Sequence, residues 1–505
     1  MILHLEAQLD LRPYTGRDAA GQLIRDLQAL AAQSQAPLLA ALADRGLAVG
    51  ARPFWIDNCI ALRATPAQIE ALRALPGLAR LDYDEPVVGE FALPAEGGRT
   101  PVWSQVIIRA PEVWSAHGLD GSGIVLGSMD TGVDIGHPAL AGKWRGGDNS
   151  WLDLVNGQPS PYDDHGHGTH TIGTMVGGDG LGPFTTDIGT APGAQFIAVK
   201  VLDEDNSFGS TSIVIAGAQW ILDPDGDPDS DDFPQIVNNS WYFFSQTYDG
   251  YHATVAVWRA AGILPVFCLG NSGPNAATTH PPGNYDNTLG VGATTSSDLI
   301  WTFSSRGPAP AGWAFPADGR KPDLSAPGAS VLSSLPGGGY TAWSGTSMAA
   351  PHVSATAALM LQGNADLGPA QLIGALNGSA ADLGAAGYDH SFGYGRLDAY
   401  AAVTAAISPS AADPVSTAAP ALSAHPNPFG ERVRLDFALP QGQAARVGIY
   451  DLQGRLQRSL VAEAAAGNLL WDGRDSAGRA LPAGLYLARL DGGKTGAVCR
   501  LLRLR

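Results

Sequence analysis

The sequence predicts an α/β protein built on a doubly wound, mostly parallel sheet, with a small α+β domain before it and a β-sandwich after it. Three observations carry this expectation. Between about residues 101 and 407, short Val/Ile-rich strands alternate with helical stretches, the pattern of a parallel sheet covered on both faces. Residues 1–91 run strand, helix, strand, helix, strand. From residue 422 onward, apolar residues fall at every second position between Gly-rich turns.

In the first region, residues 2–11, 54–62 and 78–83 read as strands, and the Ala/Leu-rich stretches 21–43 and 65–75 read as helices. Thr65 followed by Pro66 is an N-cap with proline at the first helical position. Residues 92–100 (ALPAEGGRT) are small, turn-rich and polar, an exposed linker open to cleavage. In the central region the strands are 123–129, 196–201, 236–239, 263–269 and 289–291. About 300 residues is large for one domain, yet a doubly wound enzyme domain reaches that size. Residues 408–420 are Ala/Ser/Pro-rich and form a second linker. Beyond them, Val433, Leu435 and Phe437, then Val447 and Ile449, then Leu485 and Leu487 mark period-two strands. The expected domains are therefore 1–91, 101–407 and 421–505, with linkers at 92–100 and 408–420.

Composition narrows the function classes. The 505 residues are 45% hydrophobic and 15% charged, enough apolar mass for a large core and too much for disorder as the main state. The 64 Gly and 36 Pro follow no period, which excludes collagen and implies many tight turns. A net charge of −18 argues against a general nucleic-acid binder, since phosphate contacts need a basic surface. From Ala421 onward, twelve basic and seven acidic residues give +5, leaving −23 for the rest; the two parts are expected to do different jobs. Cys59, Cys268 and Cys499 stand too far apart for a disulfide scaffold or a zinc motif and read as buried thiols. No apolar run is long enough to span a membrane, and residues 1–13 read as a strand rather than a signal peptide.

Four segments carry chemistry. Residues 123–132 form an apolar strand ending in Asp130-Thr131-Gly132, and strand ends are where open parallel sheets place functional groups. Residues 164–170 read Asp-His-Gly-His-Gly-Thr-His. Residues 267–273 are a strand running into Asn271 between glycines, and Ser344-Gly-Thr-Ser347-Met-Ala-Ala-Pro-His352 opens an Ala-rich helix. Acyl transfer by serine needs an attacking hydroxyl, a His to take its proton, a carboxylate to hold that His, and donors for the oxyanion. Ser347, His167, Asp130 and Asn271 supply one each. Ser347 at a helix start also has an uncommitted backbone N–H. Gly270 and Ala349 let a substrate backbone come close.

Together the motifs DTG, HGTH, GNSG and GTSMAAPH, in the order Asp, His, Asn, Ser, resemble the subtilisin family of serine proteases over about residues 101–403. Residues 191–194, 303–308 and 321–328 fit as well, and Trp220, Asn239-Ser240-Trp241 and the Ser-Gly-Pro after Asn271 are similar to the bacillopeptidase-F-like branch. The resemblance implies a subtilisin-like serine endopeptidase with Asp130, His167 and Ser347 as triad, Asn271 as oxyanion donor, and no cofactor for the chemistry. It implies that Ser240, Trp241, Tyr242 and Gly270 line the first specificity pocket, with Tyr242 where the family often has Gly. Asn206, Ser207, Phe208 and Gly209 would form an edge strand that pairs with extended substrate. Residues 1–91, ending in ARLDYD at 79–84, resemble a ferredoxin-like inhibitor propeptide that assists folding and is cut off by the enzyme itself. The tail from His425-Pro-Asn-Pro-Phe429 through Trp471-Asp-Gly473 to Gly484-Leu-Tyr486 resembles an Ig-like secretion-sorting or hook-capping module. That implies export to the medium or cell surface, with the secretion machinery, the chain's own propeptide and protein or peptide substrates as partners, and neither nucleic acid nor a membrane span.

Neighbouring residues compete for these roles. Asp134, His137, His165, His170 and Ser344 stand close by; the family pattern selects the first His of HGTH and the Ser before Met348, and leaves His165 as a solvated loop residue. Residues 223–232 pack six acids, and Asp225, Asp227, Asp229 and Asp231 alternate around a Gly as calcium ligands do, without the late Glu of a complete EF-hand loop. A structural Ca²⁺ and a solvated acidic loop are both compatible with that run. Two other functions stay open: a non-enzymatic surface or adhesion protein on the same shell, and an intracellular processing protease.

Overall fold

The computed structural model describes residues 1–73, 75–89, 102–178, 187–206, 209–310, 313 and 318–408, and in the tail 421–425, 429–430, 432–438, 445–451, 455–462, 466–491 and 497–504. The chain divides into two compact units, Met1–Ile407 and Ser408–Arg505.

The N-terminal region is a four-stranded antiparallel sheet with two helices. Its elements are β1 (Ile2–Leu5), α1 (Ala20–Ala43), β2 (Arg52–Phe54), β3 (Cys59–Ala61), α2 (Pro66–Leu72) and β4 (Leu78–Asp82), in the sheet order β2-β3-β1-β4. Leu23, Ile24, Leu27, Ala31, Leu38 and Leu42 bury one stripe of α1 at helical spacing. Thr65 caps α2, its Oγ1 accepting from Gln68 N while Gln68 Oε1 accepts from Thr65 N at 2.8 Å. The expected strand at 54–62 is instead the hairpin β2–β3, because Asn58 adopts a left-handed φ of 39° that reverses the chain. The expected strand at 2–11 ends at Leu5.

Next comes β5 (Pro86–Gly89), which leaves the N-terminal sheet and pairs elsewhere. The linker expected at 92–100 lies outside the described residues. Two short helices, α3 (Trp103–Ile107) and α4 (Ala110–His117), then lead into the central sheet. Its elements are β6 (Val125–Asp130), β7 (Trp151–Asp153), α5 (His167–Val176) and β8 (Gln195–Lys200). They continue with β9 (Gly209–Ser210), α6 (Thr211–Leu222), β10 (Ile236–Asn239), β11 (Trp241–Phe243), α7 (His252–Ala260), β12 (Leu264–Cys268), β13 (Leu289–Thr294) and β14 (Leu324–Pro327). A hairpin, β15 (Val331–Leu335) and β16 (Gly339–Trp343), precedes α8 (Thr346–Gly363).

Seven strands make one parallel sheet in the order β14-β13-β12-β10-β6-β8-β7. Alternate residues feed two cores. Phe196 and Ala198 pack with Ile172 and Met175 of α5 and Val353 of α8; Ile197 and Val199 pack with Val214 and Ala218 of α6 and Trp258 of α7. This is the doubly wound arrangement expected. From β6 the chain fills one side of the sheet through β8, then returns to β10 on the other side. The switch point therefore falls between β6 and β10, where open α/β sheets form their crevice. Asp130 ends β6 and Ser240 follows β10.

The second unit holds two antiparallel sheets that share one apolar core. Its strands are β17 (Ala421–His425), β18 (Val433–Ala438), β19 (Ala445–Tyr450), β20 (Leu456–Ala462), β21 (Ala466–Trp471), β22 (Gly484–Asp491) and β23 (Ala497–Arg503). They form the orders β17-β18-β21 and β20-β19-β22-β23 around Phe429, Leu435, Val447, Ile449 and Trp471.

Two buried histidines make the central domain acid-sensitive. His352 Nδ1–H donates to Met348 O at 2.9 Å, and His170 Nε2–H donates to Val331 O at 3.1 Å; both rings are 0% exposed. Burial pushes His352 down to about 4 and His170 to about 3. Both stay neutral in the folded chain, while the unfolded chain protonates them below about 6.5. Stability therefore falls as pH drops from about 6.5 toward 4, by up to about 1.4 kcal/mol per pH unit for each histidine. Urea unfolding of a Ser347→Ala chain is expected to show this slope, and His352→Leu is expected to remove one proton from it.

Candidate active site

Asp130 and His167 meet through two backbone devices. Asp130 is the last residue of β6 and is 1% exposed. His167 is the first residue of α5, after Gly166 at φ 103°. Gly168 lies so close to the carbonyl of Gly132 that a Cβ there would collide with it, which lets the first turn of α5 seat against the DTG turn. His167 Nδ1 then lies 2.7 Å from Asp130 Oδ1. A carboxylate only accepts, so Nδ1 carries the proton and Nε2 is the basic nitrogen. Asp130 Oδ1 also accepts from Thr131 N at 2.8 Å, and Oδ2 from Thr171 Oγ1 at 3.2 Å. Trp343 stacks on the His167 ring at 6.3 Å and on His170 at 4.8 Å.

Two residues that sequence reasoning did not single out hold this turn. Asp163 accepts from Thr131 Oγ1 (2.9 Å), Gly166 N (2.7 Å), Thr169 N (2.8 Å) and Thr169 Oγ1 (2.6 Å), tying the DTG turn to α5. Lys200 is fully buried; its Nζ donates to Thr131 O (2.6 Å), Asp164 Oδ1 (2.6 Å) and Leu202 O (2.9 Å). A lysine at the end of an apolar strand was the available signal.

Ser347 is the second residue of α8, where backbone N–H groups have no partner within the helix. Its Oγ–H donates to Ser240 O at 3.1 Å. Pro351 has no N–H to bond the carbonyl four residues back, which is that of Ser347. Ser240 Oγ–H takes that place, donating to Ser347 O at 2.9 Å. Asn238 Nδ2 donates to Ser240 Oγ at 3.0 Å, and its Oδ1 accepts from Ser354 Oγ at 3.0 Å. Asn271 Oδ1 accepts from Thr346 N at 2.8 Å, which turns the Nδ2 donors to the other side of the amide. Gly270 N donates to Thr346 Oγ1 at 3.2 Å. Asn271 and Ser347 are thus fixed to one helix start.

Neighbouring candidates hold backbone. Asp134 accepts from Gly136 N and Gly337 N, His137 Nδ1 accepts from Ala139 N, and Ser344 Oγ accepts from Ser330 N. His165 is half-buried rather than solvated, and its Nδ1 accepts from His167 N at 3.2 Å. Burial, then the adjacent His167, lowers its pKa.

Beside these residues runs a three-stranded sheet, β11-β5-β9, with the N-terminal region's β5 in its centre. Gly89, Val88 and Val87 pair antiparallel with Trp241, Tyr242 and Phe243, while Val87 and Pro86 pair with Gly209 and Ser210. Gly89 N–H donates to Asn206 O at 2.9 Å. Ser207 and Phe208 lie outside the described residues. Trp241 lends only backbone to this surface, because its ring packs inward on Phe243, Tyr251 and Phe267. Tyr242 rests against His280 at 4.6 Å, and His280 Nε2 lies 2.8 Å from Ser272 Oγ. Gly270, at φ 103°, faces that same histidine.

The acidic run is occupied from the N-terminal region. Arg17 pairs with Asp231 and Arg25 with Asp229. Asp225 Oδ1 accepts from Asp227 N at 2.9 Å, and Asp227 Oδ1 from Asp229 N at 3.1 Å. These four carboxylates form turn caps and ion pairs, not a preformed cage for calcium.

Lys200→Met keeps the stem but leaves Asp164 and two carbonyls without their cation. Asp164 is exposed, so the expected loss comes from the two buried carbonyls, about 1–3 kcal/mol of folding stability for each acceptor left unmet. Urea unfolding of the Ser347→Ala chain with and without this change measures it.

Residues 121–395 match the model of the subtilase family, peptidase S8. The chain is 36% identical over 422 residues to bacillopeptidase F of Bacillus subtilis, covering 76% of this chain and 28% of that protein. It is 31% identical over 378 residues to subtilisin E of the same organism, covering 73% of this chain and 86% of that one. To serine protease AprX of Bacillus subtilis it is 35% identical over 280 residues, 50% of this chain and 60% of the relative. The chain thus spans little more than a quarter of bacillopeptidase F and most of subtilisin E. It belongs to the subtilase family of serine-type endopeptidases.

Proposed function

We propose that this chain is the self-processing zymogen of an exported serine endopeptidase. Strand β5 carries the reading: it lies as the middle strand between β11 and β9 and runs toward Ser240 and Ser347. An extended segment pairing its backbone with an enzyme cleft is how a peptide substrate adds to a sheet edge. The region expected at residues 1–91 acts as a ferredoxin-like inhibitor propeptide, with its boundary moved one residue earlier by the proposed cut. Gly89, the last described residue of β5, pairs with Trp241, the neighbour of Ser240, and the cut is proposed after the next residue in the sequence, Glu90.

In the reaction, His167 Nε2 takes the Ser347 proton as Oγ attacks the scissile carbonyl carbon. Asp130 stabilises the imidazolium and holds its orientation. The oxyanion receives hydrogen bonds from Ser347 N–H and Asn271 Nδ2. Return of the proton to the leaving amine gives an acyl-enzyme, which water hydrolyses by the same steps. Subtilases need no cofactor for this chemistry. A structural calcium at Asp225–Asp231 does not fit the form in which Arg17 and Arg25 pair with that loop.

Ser240, Tyr242, Gly270, Asn206 and Gly209 form the substrate cleft, with backbone from Trp241. The second unit serves as an Ig-like sorting module for the secretion machinery, supported by its two antiparallel sheets around a separate core and its +5 charge from Ala421 onward. Among the described residues, no helix is long and apolar enough to cross a membrane.

Intact mass of the expressed wild type beside Ser347→Ala tests the zymogen reading. The wild type is expected to lose its first 90 residues and the variant to stay whole. If both stay whole and neither labels with a fluorophosphonate, the shell is a non-enzymatic surface protein. Once processing is established, Asn271→Ala is expected to lower kcat about 10²–10³-fold with KM nearly unchanged.

A further inference from the structure

We infer that Asn206 makes this enzyme select glycine as the residue immediately before the one whose carbonyl is attacked. The inference rests on the endopeptidase reading, with β5 standing as the substrate-like strand.

Residues 87 and 89 of β5 point to the same face, since side chains alternate along a strand. The wall treats them in opposite ways. At Val87 the cleft supplies Gly209: a Cβ on Gly209 would strike Val87 Cγ2, so the wall's missing side chain makes room for the strand's valine. Val87 is fully buried there, in a cluster that includes Val201 and Leu202. At Gly89 the relation is reversed. A Cβ built on Gly89 falls onto the Asn206 amide, clashing with Oδ1, Cγ and Nδ2 together. The plane of the amide covers the space that a side chain would need.

The Asn206 backbone is held in place. The residue is 1% exposed, and its backbone is left-handed at φ 55°. A turn bond from its N–H to Asp203 O at 3.0 Å fixes that geometry, and its own carbonyl accepts from Gly89 N at 2.9 Å. Moving the amide aside by a backbone shift would break the bond that aligns the strand. An L-residue at the Gly89 position must therefore displace a buried side chain, whereas glycine meets nothing. The substrate pattern that follows is aliphatic, any residue, glycine, any residue, then the cut.

Fluorogenic peptides carrying Pro-Val-Val-Gly-Glu-Phe-Ala-Leu, the chain's residues 86–93, test this against versions with Ala or Leu in place of the glycine. Active sites are counted first with a fluorophosphonate. The Gly peptide is expected to exceed the Ala peptide in kcat/KM by about 10–200-fold, the usual discrimination for one added carbon in a fitted site. Asn206→Gly suits the left-handed backbone and is expected to bring the Ala and Leu peptides to within about threefold of Gly. In the full chain, Gly89→Ala is expected to slow self-cleavage, and Asn206→Gly to restore it. A labelled enzyme that cuts Gly and Ala peptides equally overturns the inference alone, as does a preference for Gly that survives in Asn206→Gly. An enzyme that neither labels nor cuts any of the peptides overturns the endopeptidase reading as well.

Discussion

A carboxylate with 1% exposure must be given donors, and the domain is arranged to give them to Asp130. An unmet buried acceptor costs on the order of 1–3 kcal/mol, more when charged. Thr131 N, Thr171 Oγ1 and His167 Nδ1 meet it here, from the strand's own turn and from one helix. That requirement brings the first turn of α5 against the end of β6, and Gly132 and Gly168 permit the approach. Asp163 and Lys200 then hold the turn from below. The meeting of Asp130 and His167 is thus largely a solution to burying one acid.

The opposite wall is fixed by a missing donor. Pro351 leaves Ser347 O unbonded within α8, and Ser240 fills the gap while its own carbonyl accepts the Ser347 hydroxyl. Ser347 and Ser240 are joined by two bonds of opposite direction, and Asn238 and Ser354 carry the link into the core. The alanines of α8 let the helix be buried on all sides, since small side chains allow β10, β12 and β13 to approach it. The site therefore stands on regular elements, with its loops short and held by side-chain bonds.

How much could be read beforehand depended on how local the signal was. Asp130, His167, Asn271 and Ser347 each sit in a run of adjacent residues, and the helix at 20–43 announces itself by period. The hairpin Arg52–Ala61 did not, because Trp55 and Ile56 continue a strand-like pattern through its turn. Asp163 and Lys200 each reach Thr131, 32 and 69 residues back, and the lysine closing an apolar strand signals its burial but not those partners. Trp241 was read as pocket lining, yet its ring faces the aromatic core and only its backbone faces the cleft. Asn206 was expected in an edge strand but lies in a bend at φ 55° ahead of β9, and its amide matters through a glycine 117 residues earlier in the chain.

The central position of β5 has a further consequence for the proposed zymogen. While the chain is intact, β5 is tethered to the cleft, and its local concentration is set by the linker rather than by the amount of protein. Once the bond after Glu90 is cut, the same strand becomes one part of a two-body complex. Its occupancy of the cleft then follows mass action. A crowded secretory compartment would keep the cut enzyme silent, and dilution into the surroundings would release it. Latency would depend on volume as much as on chemistry.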